Sequence, residues 1–252
     1  MDETTDTPTE TPVETPPADT ATPAPAGRFD NGWWSLARQL PAFPGRIGGS
    51  IAPFATVVHT TDMVPEAWDS LLNSWTTRKG PGDCAHFVIG RDADAGVVQF
   101  APITNNANHA GGTGHGSFVA GSQTWHPNTV SVGIEIHCAG DVRQVNGEWL
   151  LLEDGKSQGA AIPDDDVVPD PRRSGRGWHK VTDYQYEQLG LLLDGLETVL
   201  APLPDGCVAT SIEKPPAYGI FATGRVVGHV SLHAAQRGDP WPPTCDWIRA
   251  RT

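Results

Sequence analysis

Positive charge is scarce in this chain: 17 Lys and Arg stand against 30 Asp and Glu, a formal net charge of −13 over 252 residues. Phosphate contacts need a basic face, so a nucleic-acid partner is not expected. Long apolar runs are missing too. None approaches the ~18–20 residues that a helix needs to cross a bilayer, so no transmembrane segment is expected. Cysteine is sparse and unclustered: Cys84, Cys138, Cys207 and Cys245 form no C-x-x-C pair. That excludes a zinc ribbon and a thioredoxin-type motif. An even count fits two disulfides in an exported protein, and free thiols in a cytosolic one. The N-terminus lacks both the basic and the apolar region of an export signal.

Residues 1–27 are Thr, Pro, Ala and acid, with Val13 as their large aliphatic residue and with no Lys or Arg. Such a stretch cannot bury enough apolar surface to offset the entropy of ordering, so a disordered tail is expected. A Thr/Pro-rich tail ahead of a catalytic domain often tethers exported proteins. An exported location (periplasmic, cell-envelope or secreted) is therefore the expectation, with the export signal already removed. Residues 28–252 suit one domain, with an insertion at about 139–181 and a monomeric state. Asp164, Asp165, Asp166 and Asp170 sit beside Arg172, Arg173, Arg176 and Lys180. Alternating clusters of this kind read as a solvated loop.

The rest alternates strands and helices. Ala55–Thr60 is a β-branched run, a buried strand that places His59 near its end. Pro65 to about Thr77 carries Trp68, Leu71, Leu72 and Trp75 at helical spacing. His86–Gly90 and Val97–Phe100 form a hairpin around a Gly/Asp-rich turn. Residues 104–128, rich in Asn, Gly, His and Ser, read as a long loop. Val130–Ile136 is a strand on which Glu135 shares a face with the small residues Ser131 and Gly133. The insertion carries one hairpin at Asn146-Gly147. Thr182 caps a helix with Tyr186, Leu189, Leu192, Leu193, Leu196 and Val199 on one stripe. Arg225–His229 is a last strand. The pattern predicts an α/β domain with a central mixed β-sheet flanked by helices.

Nine histidines in an acidic chain point to a metal. His59 and His229 end strands, which supply rigid, convergent ligands. Catalytic zinc takes three protein ligands and keeps a position open. Asp239 follows His229 by ten residues in a Gly/Pro-punctuated loop. By composition alone His233, His86, His109, His115, His126 and His137 compete for the same role.

Six segments in order then resemble the zinc-dependent N-acetylmuramoyl-L-alanine amidases, the amidase type 2 family that includes the peptidoglycan recognition proteins. They are Val57-Val58-His59-Thr60-Thr61, Ala85–Ile89 with Arg91-Asp92 and Val97-Val98-Gln99, Asn108-His109-Ala110-Gly111, Ser131–Glu135, the Thr182–Leu193 helix, and Gly228-His229 with Arg237-Gly238-Asp239-Pro240. The resemblance implies an amidase-like α/β fold, with Zn2+ on His59, His229 and Asp239 and Glu135 as general base. Some members carry a catalytic Tyr directly before the hairpin His. Ala85 stands there in this chain, which leaves the role to Glu135.

Arg237 occupies the place of a usual Lys two residues before the third ligand, where a cation polarises the substrate carbonyl. Trp241 replaces a usual Gly. The implied substrate is the lactyl amide between N-acetylmuramic acid and L-alanine in peptidoglycan. His109 is the cleft-lining candidate. Trp125 is a candidate for stacking on sugar rings, with core packing as its other use. Cys84 and Cys138 fall on neighbouring family strands and are one candidate pair; Cys207 with Cys245, across the C-terminal segment, is the alternative, and free thiols stay open. Two further functions stay open: a peptidoglycan-binding module without activity, and a zinc amidase acting on another amide.

Overall fold

The computed structural model describes residues 27–79, 82–111, 116–153, 156–210, 222–223, 225–229, 232 and 242–251. The expected tail lies outside the described residues apart from Gly27. His115, His233, Arg237, Asp239 and Trp241 lie outside them as well.

In chain order the strands that matter here are β1 (Arg38–Gln39), β2 (Ala55–Thr60), β3 (Phe87–Ile89), β4 (Val97–Gln99), β5 (Ser131–Ile136), β6 (Asp141–Val145), β7 (Glu148–Glu153), β8 (Lys156–Ile162), β9 (Val167–Pro169), β10 (Arg176–His179), β11 (Ala222–Thr223) and β12 (Val226–Gly228). The longer helices are α1 (Trp68–Thr77), α2 (Asp183–Glu197) and α3 (Pro242–Arg251). A seven-stranded sheet runs β11-β12-β2-β5-β3-β4-β1. Its centre, β12-β2-β5-β3, is parallel, while β11–β12 and β3–β4 are antiparallel. The sheet is therefore mixed, as the sequence predicts. β2 is buried at every position, which is why it reads as a β-branched run rather than an alternating one.

Successive strand residues face opposite sides, and each side of this sheet has its own helix. On one side Leu189, Leu192, Leu193 and Leu196 of α2 pack on Val58, Phe87, Ile89, Ile134 and Ile136. Burying each such leucine contributes about 1.5–3 kcal/mol. Thr182 starts α2 with a capping box: its Oγ1 accepts from Gln185 N–H, and Gln185 Oε1 accepts from Thr182 N–H. On the other side Leu71, Leu72 and Trp75 of α1 pack on Val88, Val98 and Phe100. α1 begins at Trp68, because Pro65–Ala67 form a 3-10 turn ahead of it.

Three expectations are revised. Residues 104–128 are not one long loop: Asn105–Ala107, Ser117–Ala120 and Gln123–Trp125 are short strands. The insertion holds more than one hairpin. Asn146 (φ 53°) and Gly147 (φ 90°) do form the tight turn between β6 and β7. They begin a five-stranded antiparallel sheet, β8-β7-β6-β10-β9, with Val142, Trp149, Ile162 and Val167 as its core. Asp170 is buried rather than solvated; its carboxylate accepts from Arg172 N–H at 2.9 Å and Arg173 Nε–H at 3.0 Å. Cys84 and Cys138 are buried thiols joined by no disulfide, and burial pushes each up to about 12.

Two buried histidines lock the frame. His86 Nδ1 accepts from Gly133 N–H at 3.0 Å, and its Nε2–H donates to Asn105 O at 2.8 Å. His179 Nδ1 accepts from Ala139 N–H at 3.0 Å, tying β10 to the end of β5. Burial lowers His86 to about 4 and His179 to about 3. Both rings are neutral when folded and bind protons on unfolding below their usual 6.5. The unfolded chain then binds more protons, so stability falls with pH through the window from 6.5 toward 4. Melting temperature is expected to drop steadily from pH 7 to pH 5. In His86→Gln the drop should be shallower, from a lower starting value; calorimetry across pH checks both.

Candidate active site

β2, β5 and β12 run in the same direction and in lateral register. Glu135 pairs with His59 across β5–β2, and Gly228 pairs with Val58 across β12–β2. His229, next after Gly228, therefore falls beside His59. Adjacent strands lie ~4.8 Å apart, so Glu135, His59 and His229 form a row at the carboxyl ends of three parallel strands. All three fall on the α1 side of the sheet, opposite Val58, Ile134 and Val226, which face α2. The His59 and His229 rings lie 4.4 Å apart between centroids, and both are buried.

This row forms the floor of a cavity of about 210 Å³. Its walls include Trp75 from α1, Thr61 and Met63 from the segment after β2, Asp83, and His109. His137, one of the histidines that compete for the metal by composition, is buried and holds that segment. Its Nε2–H donates to Pro65 O, and its Nδ1 lies 3.2 Å from Thr61 Oγ1.

His109 enters from its loop and lies over Gly133. A Cβ at Gly133 would fall 2.3 Å from His109 Cγ. The small residues beside Glu135 therefore make room for an imidazole. His109 Nε2 lies 3.3 Å from Ser131 O, which only accepts, so Nε2 carries the proton. Burial first, and then the neighbouring His59 and His86, keep His109 neutral. Its Nδ1 is then an acceptor, and His59 Nε2–H donates to it at 3.1 Å. That tautomer places the lone pair of His59 on Nδ1. A chain from Ser131 through His109 thus orients His59 in the way a metal-ligating histidine is usually oriented by its other nitrogen.

The donor set fits zinc. Two neighbouring imidazoles beside a carboxylate are the nitrogen part of a three-ligand site. Among the described residues no set of three such side chains converges into a complete metal site. Asp239, the expected third ligand, and Arg237, the expected cation, lie outside the described residues.

Trp125 is not brought to the cavity. It packs edge-on against Phe54 at 5.4 Å, in a cluster with Phe118 and Val130. Asn128 escaped the sequence reading. Its Oδ1 accepts from Ala110 N–H at 2.7 Å, and its Nδ2 donates to Asn108 Oδ1 at 2.8 Å and to Gly111 O at 3.1 Å. It clamps the residues on both sides of His109. A lone Asn in a single-turn helix, Pro127–Val130, gives no periodic signal that could mark it. Gly133→Ala is expected to destabilise the fold by about 1–3 kcal/mol through overpacking against His109. Asn128→Ala should cost about as much by stranding Ala110 N–H, and should lower activity by displacing His109. Denaturant titration and turnover of the two variants check this.

A sequence profile of the family described as N-acetylmuramoyl-L-alanine amidase matches residues 51–242, more than half of the chain. No curated protein matches the chain. Among solved structures, AmpDH3 from Pseudomonas aeruginosa is 18% identical with a TM-score of 0.46, over 80% of this chain and 61% of that one. It is matched equally in its complex with anhydromuramic pentapeptide. The N-acetylmuramyl-L-alanine amidase AmiD from E. coli, in complex with anhydro-N-acetylmuramic acid-L-Ala-D-gamma-Glu-L-Lys, is 16% identical with a TM-score of 0.43, over 89% of this chain and 65% of that one. The chain spans less than two thirds of the length of each of these proteins. On the strength of the profile match, this chain belongs to the N-acetylmuramoyl-L-alanine amidase family.

Proposed function

We propose that this chain hydrolyses the amide between N-acetylmuramic acid and the L-alanine of the peptidoglycan stem peptide, with Zn2+ held by His59, His229 and Asp239. The observation that carries the reading is the row Glu135–His59–His229 at the ends of three parallel strands, on the floor of a cavity. A carboxylate beside two imidazoles has little structural purpose on a cavity floor, and it has a clear chemical one. Bound there, zinc supplies Lewis acidity for the scissile carbonyl and for the attacking water.

The chain's own residues do the rest. Glu135 accepts a proton from the attacking water and delivers it to the amine of the departing L-alanine. His109 holds His59 through the Nε2–Nδ1 hydrogen bond and so fixes the ring that orients the metal. Arg237 is assigned to the developing oxyanion, where a fixed cation is most effective. Trp75 and Met63 form the apolar part of the cavity wall beside the reacting groups.

Digestion of purified peptidoglycan is expected to release stem peptides that begin with L-alanine. Glu135→Gln should lower that rate by about 10²–10⁴-fold with bound zinc unchanged by elemental analysis. A chelator should abolish the activity and added Zn2+ restore it. Wild-type protein that carries zinc and retains muropeptides intact would instead identify a binding module.

A further inference from the structure

Among the described residues, three that are not glycine have a positive φ: Asn31 at 47°, Asp62 at 49° and Asn146 at 53°. Asn31 and Asn146 each precede a glycine that is positive as well, Gly32 and Gly147, which is the pattern of a tight two-residue turn. Asp62 precedes Met63 and belongs to no such turn. The left-handed region crowds the Cβ of any L-residue, so a single residue held there needs a cause.

The backbone bonds on either side of Asp62 are those of a strand. Beyond the end of β2, Thr61 N–H donates to Ile136 O and Met63 N–H to Cys138 O, each at 3.1 Å. The chain thus stays paired to the line of β5 across Asp62, with the even spacing of a parallel ladder. An extended residue at 62 would carry that ladder straight on. The left-handed one turns the chain, which enters the 3-10 turn at Pro65 and then α1. Thr60 Oγ1–H donates to Asp62 Oδ1 at 2.9 Å. A short polar side chain bonded locally in this way is what lets aspartate and asparagine adopt such a backbone.

What this conformation holds is the wall of the catalytic cavity. Thr61 and Met63, the two neighbours of Asp62, both line it. Farther along, other elements fix the same segment: His137 Nε2–H donates to Pro65 O, and a Cβ at Gly159 of β8 would fall 2.7 Å from Val64 Cγ2. Between those supports and β2, the backbone direction at Asp62 decides where the wall stands. Backbone outliers of this kind persist where the surroundings over-determine them, and they cluster at functional sites.

We propose that Asp62 is a positioning residue of the reaction. Its left-handed backbone, tied by the Thr60 hydroxyl, sets Thr61 and Met63 against the substrate and so places the scissile amide over the row Glu135–His59–His229. It acts through these neighbours and not on the reacting atoms. The proposal rests on the reading of this cavity as the active site.

Three substitutions separate backbone from charge. Asp62→Asn keeps the acceptor and the tolerance of positive φ, and removes the charge. Asp62→Gly keeps only the freedom to be left-handed, and Asp62→Ala keeps neither. They are compared as zinc-loaded full chains on a muropeptide, well below every melting temperature. In Asp62→Ala kcat is expected to fall roughly tenfold or more, the scale of a substrate misplaced by a fraction of an ångström, with Asp62→Asn within about twofold of wild type and Asp62→Gly within about threefold. A role in stability alone would lower the melting temperature and leave kcat of the folded enzyme unchanged. Asp62→Asn as slow as Asp62→Ala, or all three at the wild-type kcat, overturns the proposal.

Met63 gives a readout that needs no turnover. The chain has two methionines, Met1 and Met63, so labelling the methionine methyls with carbon-13 yields one signal from the cavity wall. Trp75 lines the same cavity, and its ring current makes that signal sensitive to small displacements. The Met63 methyl resonance is expected to move in Asp62→Ala and to hold its place in Asp62→Asn and Asp62→Gly. That pattern upholds Asp62 as the residue that sets the wall even in a protein that hydrolyses nothing, a result that would sink the amidase reading alone. Thr60→Val, which cuts the tie and keeps the aspartate, serves if Asp62→Ala does not fold, and should move the resonance as well. A Met63 signal unmoved by whichever of these two variants folds overturns the proposal.

Discussion

Parallel pairing of β2 with β5 on one side and β12 on the other is the interaction on which the site depends. Parallel strands in register bring residues at the same height side by side, and their carboxyl ends lie at one edge of the sheet. Ligands gather at such edges in open α/β sheets. Here the shared height is that of Glu135, His59 and His229. A slip of one residue in either pairing would turn a functional side chain to the α2 side, among leucines. The leucine stripe of α2 and the apolar face of β5 therefore protect the register as much as they stabilise the fold.

The second tier of the site is a set of hydrogen bonds between segments far apart in the chain. His86 joins β3, β5 and the strand at Asn105–Ala107. Asn128 clamps the loop of His109, which in turn reaches Ser131 and His59. The His86 and His109 rings are buried and neutral, so in each the two nitrogens act as one donor and one acceptor, and each nitrogen has a defined partner. That arrangement is rigid, and rigid orientation is what a metal-ligating imidazole requires. The insertion sheet connects through the same logic: His179 binds Ala139, and Gly159 approaches Val64 closely enough that any Cβ would collide with it. The insertion thereby braces the segment whose Thr61 and Met63 wall the cavity.

Much of this was legible in the chain. β-branched runs marked β2, β5 and β12, a 3.6-residue stripe marked α2, and Asn146-Gly147 marked a hairpin. Ser131 and Gly133 marked a face of small residues beside Glu135, but that His109 would fill it showed only in the structure. Other features were hidden. A strand of three residues, such as Asn105–Ala107, carries too little pattern to be told from a loop. Trp125 could equally stack on a sugar or fill a core, because its indole suits both; Phe54 and Phe118 decide for packing. Asp170 sat in a charge cluster that read as solvent-facing, until two arginine contacts satisfied it in a buried position.

What the sequence by itself determined is the set of elements and their faces, because hydrophobic periodicity and capping are local and written in neighbouring residues. It also determined the candidate chemistry, because the family segments occur in order along the chain. Which histidines meet, which nitrogen of each carries the proton and which polar groups are left beside a cavity were decided only by the tertiary structure. These depend on pairings between residues tens of positions apart, such as His59 with His109 and Arg46 with Asp83. No local pattern encodes such pairings; they exist only once the sheet has aligned its strands.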